Sequence, residues 1–174
     1  VCTGQATRIR FRNNIEGPIT AINQLTNTIR VMEQDIQVDD ATIFSGTGVT
    51  DLTSLQVNDL VSISGLEERD QDRTRALDRI HARLIDKTGT FTNNTTPIQI
   101  KGSVEQFNAA AQTFKLGQLT VSFAGVAPAN LPSGGLSDGQ YVEVSGTNFA
   151  SGLFTCDRIQ LRDRISYPDA SRVE

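Results

Sequence analysis

The fold is decided by Ile15-Glu-Gly-Pro-Ile-Thr-Ala-Ile-Asn23, which returns in altered form as Ile100-Lys-Gly-Ser-Val-Glu-Gln-Phe-Asn108. Three further blocks recur in the same order: Thr28–Val31 as Thr113–Leu116, Leu60–Gly65 as Tyr141–Gly146, and Asp78–Ile80 as Asp157–Ile159. Four matched blocks in one order indicate two copies of a single domain.

The repeat divides the chain into segments. We expect an orphan N-terminal strand at 1–12, a first barrel at 13–87, a linker at 88–97, a second barrel at 98–165 and a C-terminal tail at 166–174. The linker is polar, rich in Thr and Asn, and closed by proline. The orphan strand is so named because Ala6–Arg12 resembles Cys156–Arg162, the last block of a repeat, with no domain in front of it.

Each copy has the pattern of a small β-domain. Apolar and polar residues alternate from Ile98 to Val104, as in a half-buried strand. Gly117-Gln118 separates two apolar runs and predicts a two-residue hairpin. Residues 124–140 contain prolines and glycines that disfavour a long helix. Five short strands per copy predict an all-β chain of two tandem OB-like barrels plus the extra N-terminal strand.

The charged segment Leu66–Ile85 contains neither glycine nor proline, so a helix is one interpretation. The repeat favours another, because Ile80 aligns with Ile159 and alternates with the apolar residues after it. We therefore predict an enlarged hairpin loop at 67–75 and a strand over Ala76–Ile85, since tertiary context often overrides helix propensity.

The opening I-E-G-x-I-T-A-I-N, the strand D-x-V-x-I-S-G and the closing D-R-I resemble a bacterial family of OB-like β-barrel domains of unknown function. Its members are often in tandem, in exported and envelope proteins. The resemblance implies core positions at Ile80 and Ile159 and structural glycines at Gly17, Gly65, Gly102 and Gly146. It provides no catalytic residues.

Catalytic patterns are weak in this sequence. The chain has one histidine, His81, which rules out a cluster of histidine metal ligands within one chain. Gly135-Leu-Ser-Asp-Gly139 matches a nucleophile elbow, but a predicted strand follows it where that motif needs a helix, so we interpret it as a turn. We expect His81 to lie on the exposed face, opposite Ile80.

Ligand-binding motifs are equally incomplete. Asp70, Asp72 and Thr74 have the first spacings of a calcium loop, but Arg75 stands at the glycine position. A looser carboxylate site there, or at Asp39-Asp40, is the alternative to solvated charge. Gly46-Thr-Gly48 lacks the rest of a dinucleotide fingerprint. We expect no enzyme activity, no cofactor and no metal site.

The chain carries a net charge of −4 and no tryptophan, which argues against a broad nucleic-acid surface. The interpretation of Phe107, Phe114 and Phe123 is core packing, with base or sugar stacking as the alternative. In the orphan strand the arginines share one face. They could pair with an acidic partner or anionic polymer, or form a solvated face or an edge blunted by charge. The candidate assembly strand is Arg8, Ile9, Arg10, Phe11 and Arg12. Three placements of this strand remain open: beside an upstream repeat of a longer array, in a barrel or sheet of the same chain, or in a neighbouring subunit.

Cys2 and Cys156 fit no zinc or redox motif, so we consider one disulfide, within or between chains, or two buried thiols. No stretch is long and apolar enough to predict a membrane span. No leader pattern opens the sequence, from which we expect an export signal to have been removed. We expect a periplasmic, cell-surface or extracellular location.

Two functions remain open on the sequence. The first is a non-catalytic structural or interaction module of an exported bacterial protein, assembling through β-strand contacts with itself or with further repeats, as part of a filament or larger array. The alternative is an OB-type binding module for an oligosaccharide or other polymer.

Overall fold

The computed structural model describes residues 14–68 and 79–163, and these residues form thirteen β-strands, two short 3-10 turns and no α-helix. The first repeat contains β1 Ile15–Asn23, β2 Thr28–Val31, β3 Gln34–Gln37, β4 Ile43–Ser45, β5 Asp59–Glu68 and β6 Arg79–Thr90. The second contains β7 Ile98–Asn108, β8 Thr113–Leu116, β9 Leu119–Ser122, β10 Tyr141–Gly146, β11 Asn148–Ala150, β12 Leu153–Thr155 and β13 Arg158–Leu161.

The first repeat is a closed five-stranded barrel. Its ring runs from β1 to β2, β3, β6 and β5 and back to β1. All neighbours are antiparallel except β3 and β6, where Ile36 lies beside Ile80 in a parallel pair. One parallel pair closing an otherwise antiparallel five-stranded ring gives the OB arrangement. The predicted all-β fold of tandem OB-like barrels is confirmed.

Local sequence accounts for the hairpins of this barrel. In β2 and β3 every second residue is buried, which places Ile29, Val31 and Ile36 in the core. Met32 and Glu33 join these strands with φ angles of 45° and 62°. Two left-handed residues match the strand twist in a two-residue hairpin, so β2 and β3 can pair tightly.

The second repeat has the same ring with two interruptions. β7, β8 and β9 repeat the antiparallel meander, and β9 pairs in parallel with β12. Thr147 separates β10 from β11, and Cys156 and Asp157 separate β12 from β13. The predicted hairpin at Gly117-Gln118 is present, with Gly117 at a φ of 56°. Residues 123–140 form a long loop with a 3-10 turn at Pro128–Asn130.

The charged segment that could have been a helix is strand wherever the structure describes it. β5 extends through Glu68, so the first two residues of the loop predicted at 67–75 are strand instead, and β6 begins at Arg79 within the predicted closing strand. β6 continues through Thr90, so the first three residues of the predicted linker are strand. The remaining linker residues contact both barrels: the Phe91 amide donates to the Asn58 carbonyl of the first barrel at 3.0 Å, and the Asn93 side chain accepts a hydrogen bond of 3.0 Å from the Phe149 amide of the second.

The closing strands align differently from the sequence prediction. Ile80 pairs with Ile36 of β3, and the corresponding residue of β9, Val121, pairs with Phe154. Ile80 is therefore the counterpart of Phe154, and the counterpart of Ile159 is Ile85. Ile80 and Ile159 are both buried, at 6% and 2% exposure, but they are not equivalent positions. The prediction that they align is wrong, because the closing strand of each copy has two large buried apolar residues five positions apart.

Candidate functional site

Strands from both barrels join into one antiparallel sheet of the order β13-β10-β7-β1-β5-β6. A single row of apolar side chains crosses all of these strands, each at most 2% exposed: Ile159, Val144, Ile100, Ile15, Ile63 and Ile85. Cross-strand contacts between β-branched residues stabilise a sheet. The two cores are therefore one continuous apolar cluster.

The contact between the barrels lies on a local twofold axis. Ile15 of β1 lies opposite Ile100 of β7, and these residues are counterparts in the two repeats. The Lys101 amide donates to the Asn14 carbonyl at 2.9 Å, and Glu16 is in register with Gln99. Two like surfaces thus pair through their main chains. A contact of this isologous kind is saturated by two partners.

Side chains reinforce this junction. The Gln34 amide, on a residue only 7% exposed, donates to the Leu116 carbonyl in the second barrel at 2.8 Å. The Gln99 amide donates to the Glu16 carboxylate at 3.3 Å. A buried polar group with a partner across the junction favours one relative orientation of the barrels, because losing that partner costs desolvation.

The two ends of the joined sheet are finished differently. At one end β6 is covered by β4, which runs parallel to it with Ile43 opposite Leu84 and Ser45 opposite Asp86. At the other end β13 pairs only with β10 among the described strands. The Asn130 side chain reaches the Asp157 carbonyl at 3.3 Å, just before β13 begins. The outer edge of β13, which we call the β13 edge, therefore has no strand beside it in the described part of the chain.

Charged groups line the outward face beside this edge. Arg162 donates to Glu143 of β10 at 2.9 Å, and Lys101 of β7 lies 3.4 Å from the same carboxylate. The hydrogen bond from Arg162 lowers the pKa of Glu143 below its ordinary value, although burial opposes the shift. On β13 itself Arg158 is exposed and makes no ion pair with the described residues. At the outward positions of this edge Arg158 therefore contributes a positive charge, while Arg162 is paired and the exposed Asp157 directly precedes the strand.

Comparison with known families gives one match. A domain of unknown function, DUF5666, matches residues 16–77 and again residues 97–160. The chain belongs to the DUF5666 family. No curated protein and no solved structure matches it.

Two matched glycines of this DUF5666 tandem lie where strands touch. A Cβ on Gly65 would overlap the carbonyl oxygen of His81, and one on Gly146 would lie 2.9 Å from the carbonyl oxygen of Thr155. Both contacts are with the closing strand, and both are with backbone atoms. A side chain at either position would push two strands apart.

The glycines in the first strand of each repeat differ in how closely a neighbouring side chain approaches them. A Cβ on Gly17 would overlap the Met32 sulfur, whereas one on Gly102 would meet Leu116 at 3.4 Å, which is ordinary contact. The Met32 side chain is flexible but fully buried, so it has little room to move. The resemblance thus marks positions of close approach, and the closeness differs between the two repeats.

The phenylalanines and the histidine considered in the sequence differ in how deeply their side chains are buried. Phe114 is 1% exposed and belongs to the core. Phe107 and Phe123 are half-buried and stack at 5.8 Å between ring centroids, packed against the core from one end of the barrel. His81 lies on the face of β6 opposite the buried Ile80, partly exposed and in register with Gln37. None of them converges on a common pocket with catalytic groups among the described residues.

The nucleophile-like motif is a turn. The Ser137 amide donates to the Gln140 side-chain carbonyl, and the Gln140 amide donates to the Ser137 backbone carbonyl. β10 begins directly after Gln140. Asp138 accepts the Phe107 amide at 2.8 Å, so its carboxylate holds the turn against β7. Gly46, with a φ of 112°, lies in the loop after β4, and a 3-10 turn follows rather than an α-helix.

Cys156 lies at the break between β12 and β13. Its thiol donates to the Ser122 carbonyl at 3.4 Å, and burial raises its pKa to about 12. Cys2, its proposed disulfide partner, lies outside the described residues, so the disulfide stays a prediction. Also outside the described residues are the assembly strand Arg8–Arg12, the calcium-like Asp70–Thr74 and the tail 166–174.

The described residues contain no group of three or more His, Cys, Asp or Glu placed to hold a metal ion. They also contain no helix with the length and apolar character needed to cross a bilayer.

Sequence reasoning missed the residues that build the junction and the β13 edge. Neither Gln34 nor Leu161 belongs to a sequence motif that predicts a role for it. For Gln34 the available signal was the repeat itself, because a glutamine stands where the second copy has Leu119, whereas only the strand pairing reveals that Leu161 stands where the first copy has Lys87. Departures between matched copies point to positions with a role in only one of them.

Proposed function

We propose that this chain is a non-catalytic interaction module of an exported bacterial protein, assembling through β-strand contacts as a repeating part of a larger array. The observation that carries the proposal is the pairing of β1 with β7, in which two folded barrels associate main chain to main chain. The bacterial and exported setting follows from the sequence resemblance described above.

The geometry of the junction limits how such assembly can proceed. The contact of Ile15 with Ile100 is closed by its twofold symmetry, so a third barrel cannot join there. One end of the joined sheet is covered by β4. Growth beyond two barrels therefore uses another edge, and a repeated contact between unlike surfaces gives open chains.

Light scattering on the purified chain over a wide concentration range tests this proposal. We expect species heavier than a monomer that grow with concentration, together with slower amide exchange in strands that become paired. A matched chain lacking residues 1–12 shows whether the predicted assembly strand is responsible. A full chain that stays monomeric at every concentration, with unchanged exchange, contradicts the proposal.

A second candidate function is oligosaccharide binding. A cleft of about 330 Å³ lies beside the local axis, and its lining includes Glu16, Gln99, Ser145 and Asp157. Carboxylate, amide and hydroxyl groups together can accept from and donate to sugar hydroxyls. A glycan array tests this function, with Asp157→Asn as the matched variant. Hits that weaken in the variant support it, and an array without hits contradicts it.

A further inference from the structure

We propose that the β13 edge is a docking site for an extended segment of a partner protein with alternating apolar and acidic residues, which adds as a strand parallel to β13. This inference rests on the proposed function, because it names the edge and the partner chemistry of a β-strand contact.

In the first barrel a short strand lies along the outer edge of the closing strand, and in the second barrel no described strand occupies the corresponding place. β4 lies along Leu84–Asp86 of β6. The counterparts of these residues are Arg158–Gln160 of β13, because both sets pair with matching residues of β5 and β10. In the second barrel the loop at this place forms the turn Pro128–Asn130. The Asn130 and Leu131 amides donate to carbonyls within the turn, those of Ala127 and Pro128, so this turn does not form the ladder that β4 forms with β6.

The backbone of β13 has hydrogen-bonding groups directed to the open side. The Arg162 amide donates to the Tyr141 carbonyl of β10 at 2.9 Å. Donors alternate between the two sides of a strand, so the amides of Ile159 and Leu161 point away from β10. An extended peptide can pair with these groups in the way that β4 pairs with β6.

An exposed apolar side chain, that of Leu161, lies on the core-facing side of β13 beside the open edge. Leu161 is in register with the buried Val142, yet it is 48% exposed. Its counterpart in the first barrel is Lys87, which forms an ion pair of 2.8 Å with Asp59. There the apolar cover comes from Phe44 of β4, which packs against the core. The second barrel thus has an apolar residue and no strand to cover it within the described residues.

The charges on the outward face beside the β13 edge determine which kind of segment fits it. Arg158 of β13 and Arg162, which directly follows β13, lie on the outward face, and among the described residues only Arg162 of the two has an acidic partner, Glu143. Opposite charges on neighbouring strands stabilise a pair and like charges destabilise it. A segment with acidic outward residues therefore fits this edge. The basic strand Arg8–Arg12 places like charges together and does not.

Fluorescence anisotropy with two labelled peptides tests the proposal on the full chain. One peptide alternates valine with glutamate, and the other alternates valine with lysine. We expect the glutamate peptide to bind about fivefold more tightly, because it places a favourable rather than an unfavourable charge beside Arg158. Hydrogen exchange should show slower exchange at the Ile159 and Leu161 amides when this peptide is bound.

Three variants separate the contributions. Leu161→Pro removes an outward amide without removing a bond to β10, so we expect binding to be lost while the melting curve remains cooperative. Leu161→Ala keeps the amide, and we expect weakened binding. Arg158→Glu should reverse the preference to the lysine peptide, and it carries the test if Leu161→Pro fails to fold.

Several outcomes overturn the inference. These are no binding of either peptide, equal affinity for both, binding unchanged by Leu161→Pro in a folded chain, or preference for a peptide with the sequence of residues 6–12. Failure here is distinct from failure of the proposed function. A chain that self-associates regardless of Leu161→Pro retains that function and loses this inference, whereas a monomer that binds the glutamate peptide at this edge does the reverse.

Discussion

Replacing Gly65 with alanine should destabilise the first barrel more than any other glycine substitution compared with it below. The new Cβ would overlap the His81 carbonyl oxygen and lie 2.9 Å from the Ile80 Cγ2 atom. Gly65 is paired with Ala82 beside a register irregularity, so relief requires β5 and β6 to separate locally. Overpacking and the loss of one or two ladder hydrogen bonds together cost about 3 kcal/mol.

Thermal unfolding measures this effect, with Gly89→Ala as the matched control. At about 2–4 °C per kcal/mol for a chain of this size, Gly65→Ala should lower the Tm by about 6–12 °C. Gly89 lies in β6, and a Cβ there has no neighbour within 4 Å. Alanine at this position should be neutral or raise stability by up to about 1 kcal/mol, because it restricts the unfolded chain. A Gly65→Ala chain that melts within about 2 °C of the wild type refutes the reasoning.

Three further predictions concern the barrel junction, an ion pair and the buried thiol. Gln34→Ala removes a hydrogen bond across the barrel junction and should cost about 1–2 kcal/mol in denaturant unfolding; an unchanged midpoint would show that the bond is dispensable. Because Arg162 lowers the folded-state pKa of Glu143, their interaction stabilises the fold above the ordinary carboxyl pKa of 4.5 and is lost as pH falls through the lower folded value. The difference in Tm between wild type and Glu143→Gln should therefore shrink in acid, and a constant difference contradicts this assignment. In a Cys2→Ala chain, Cys156 should resist a thiol reagent until the protein unfolds, because burial keeps it protonated at neutral pH; rapid labelling of the native chain would contradict its burial.

The closing strand shows where a repeat pattern misleads. In β6 the buried residues are Ile80, Ala82 and Ile85, and in the second copy Phe154, Cys156 and Ile159 have the same spacing. Each copy therefore has two large apolar residues five positions apart in its closing strand. The short match D-R-I aligned the first of these in one copy, Ile80, with the second of these in the other, Ile159. Only the pairing partners, Ile36 and Val121, distinguish the two registers.

The strand that covers β6 shows a different limit. β4 contains three residues, Ile43–Ser45, and so short a run has no measurable period. Its formation depends on the edge of β6, a contact that sequence pattern does not encode. The second copy forms a proline-containing turn at the same place, so the repeat did not signal it either.

By itself the sequence determined that this protein is two copies of one β-domain, because alternation of apolar residues and hairpin turns are local properties repeated along the chain. The family resemblance marked four structural glycines, Gly17, Gly65, Gly102 and Gly146, and the structure shows that Gly65 and Gly146 are the two that approach backbone atoms of the closing strand. Only the tertiary structure decided that Ile15 pairs with Ile100, that Gln34 crosses between barrels, and that the β13 edge is left without a described strand. These features depend on which edges meet after each barrel has closed, and that choice is made by contacts between residues far apart in sequence.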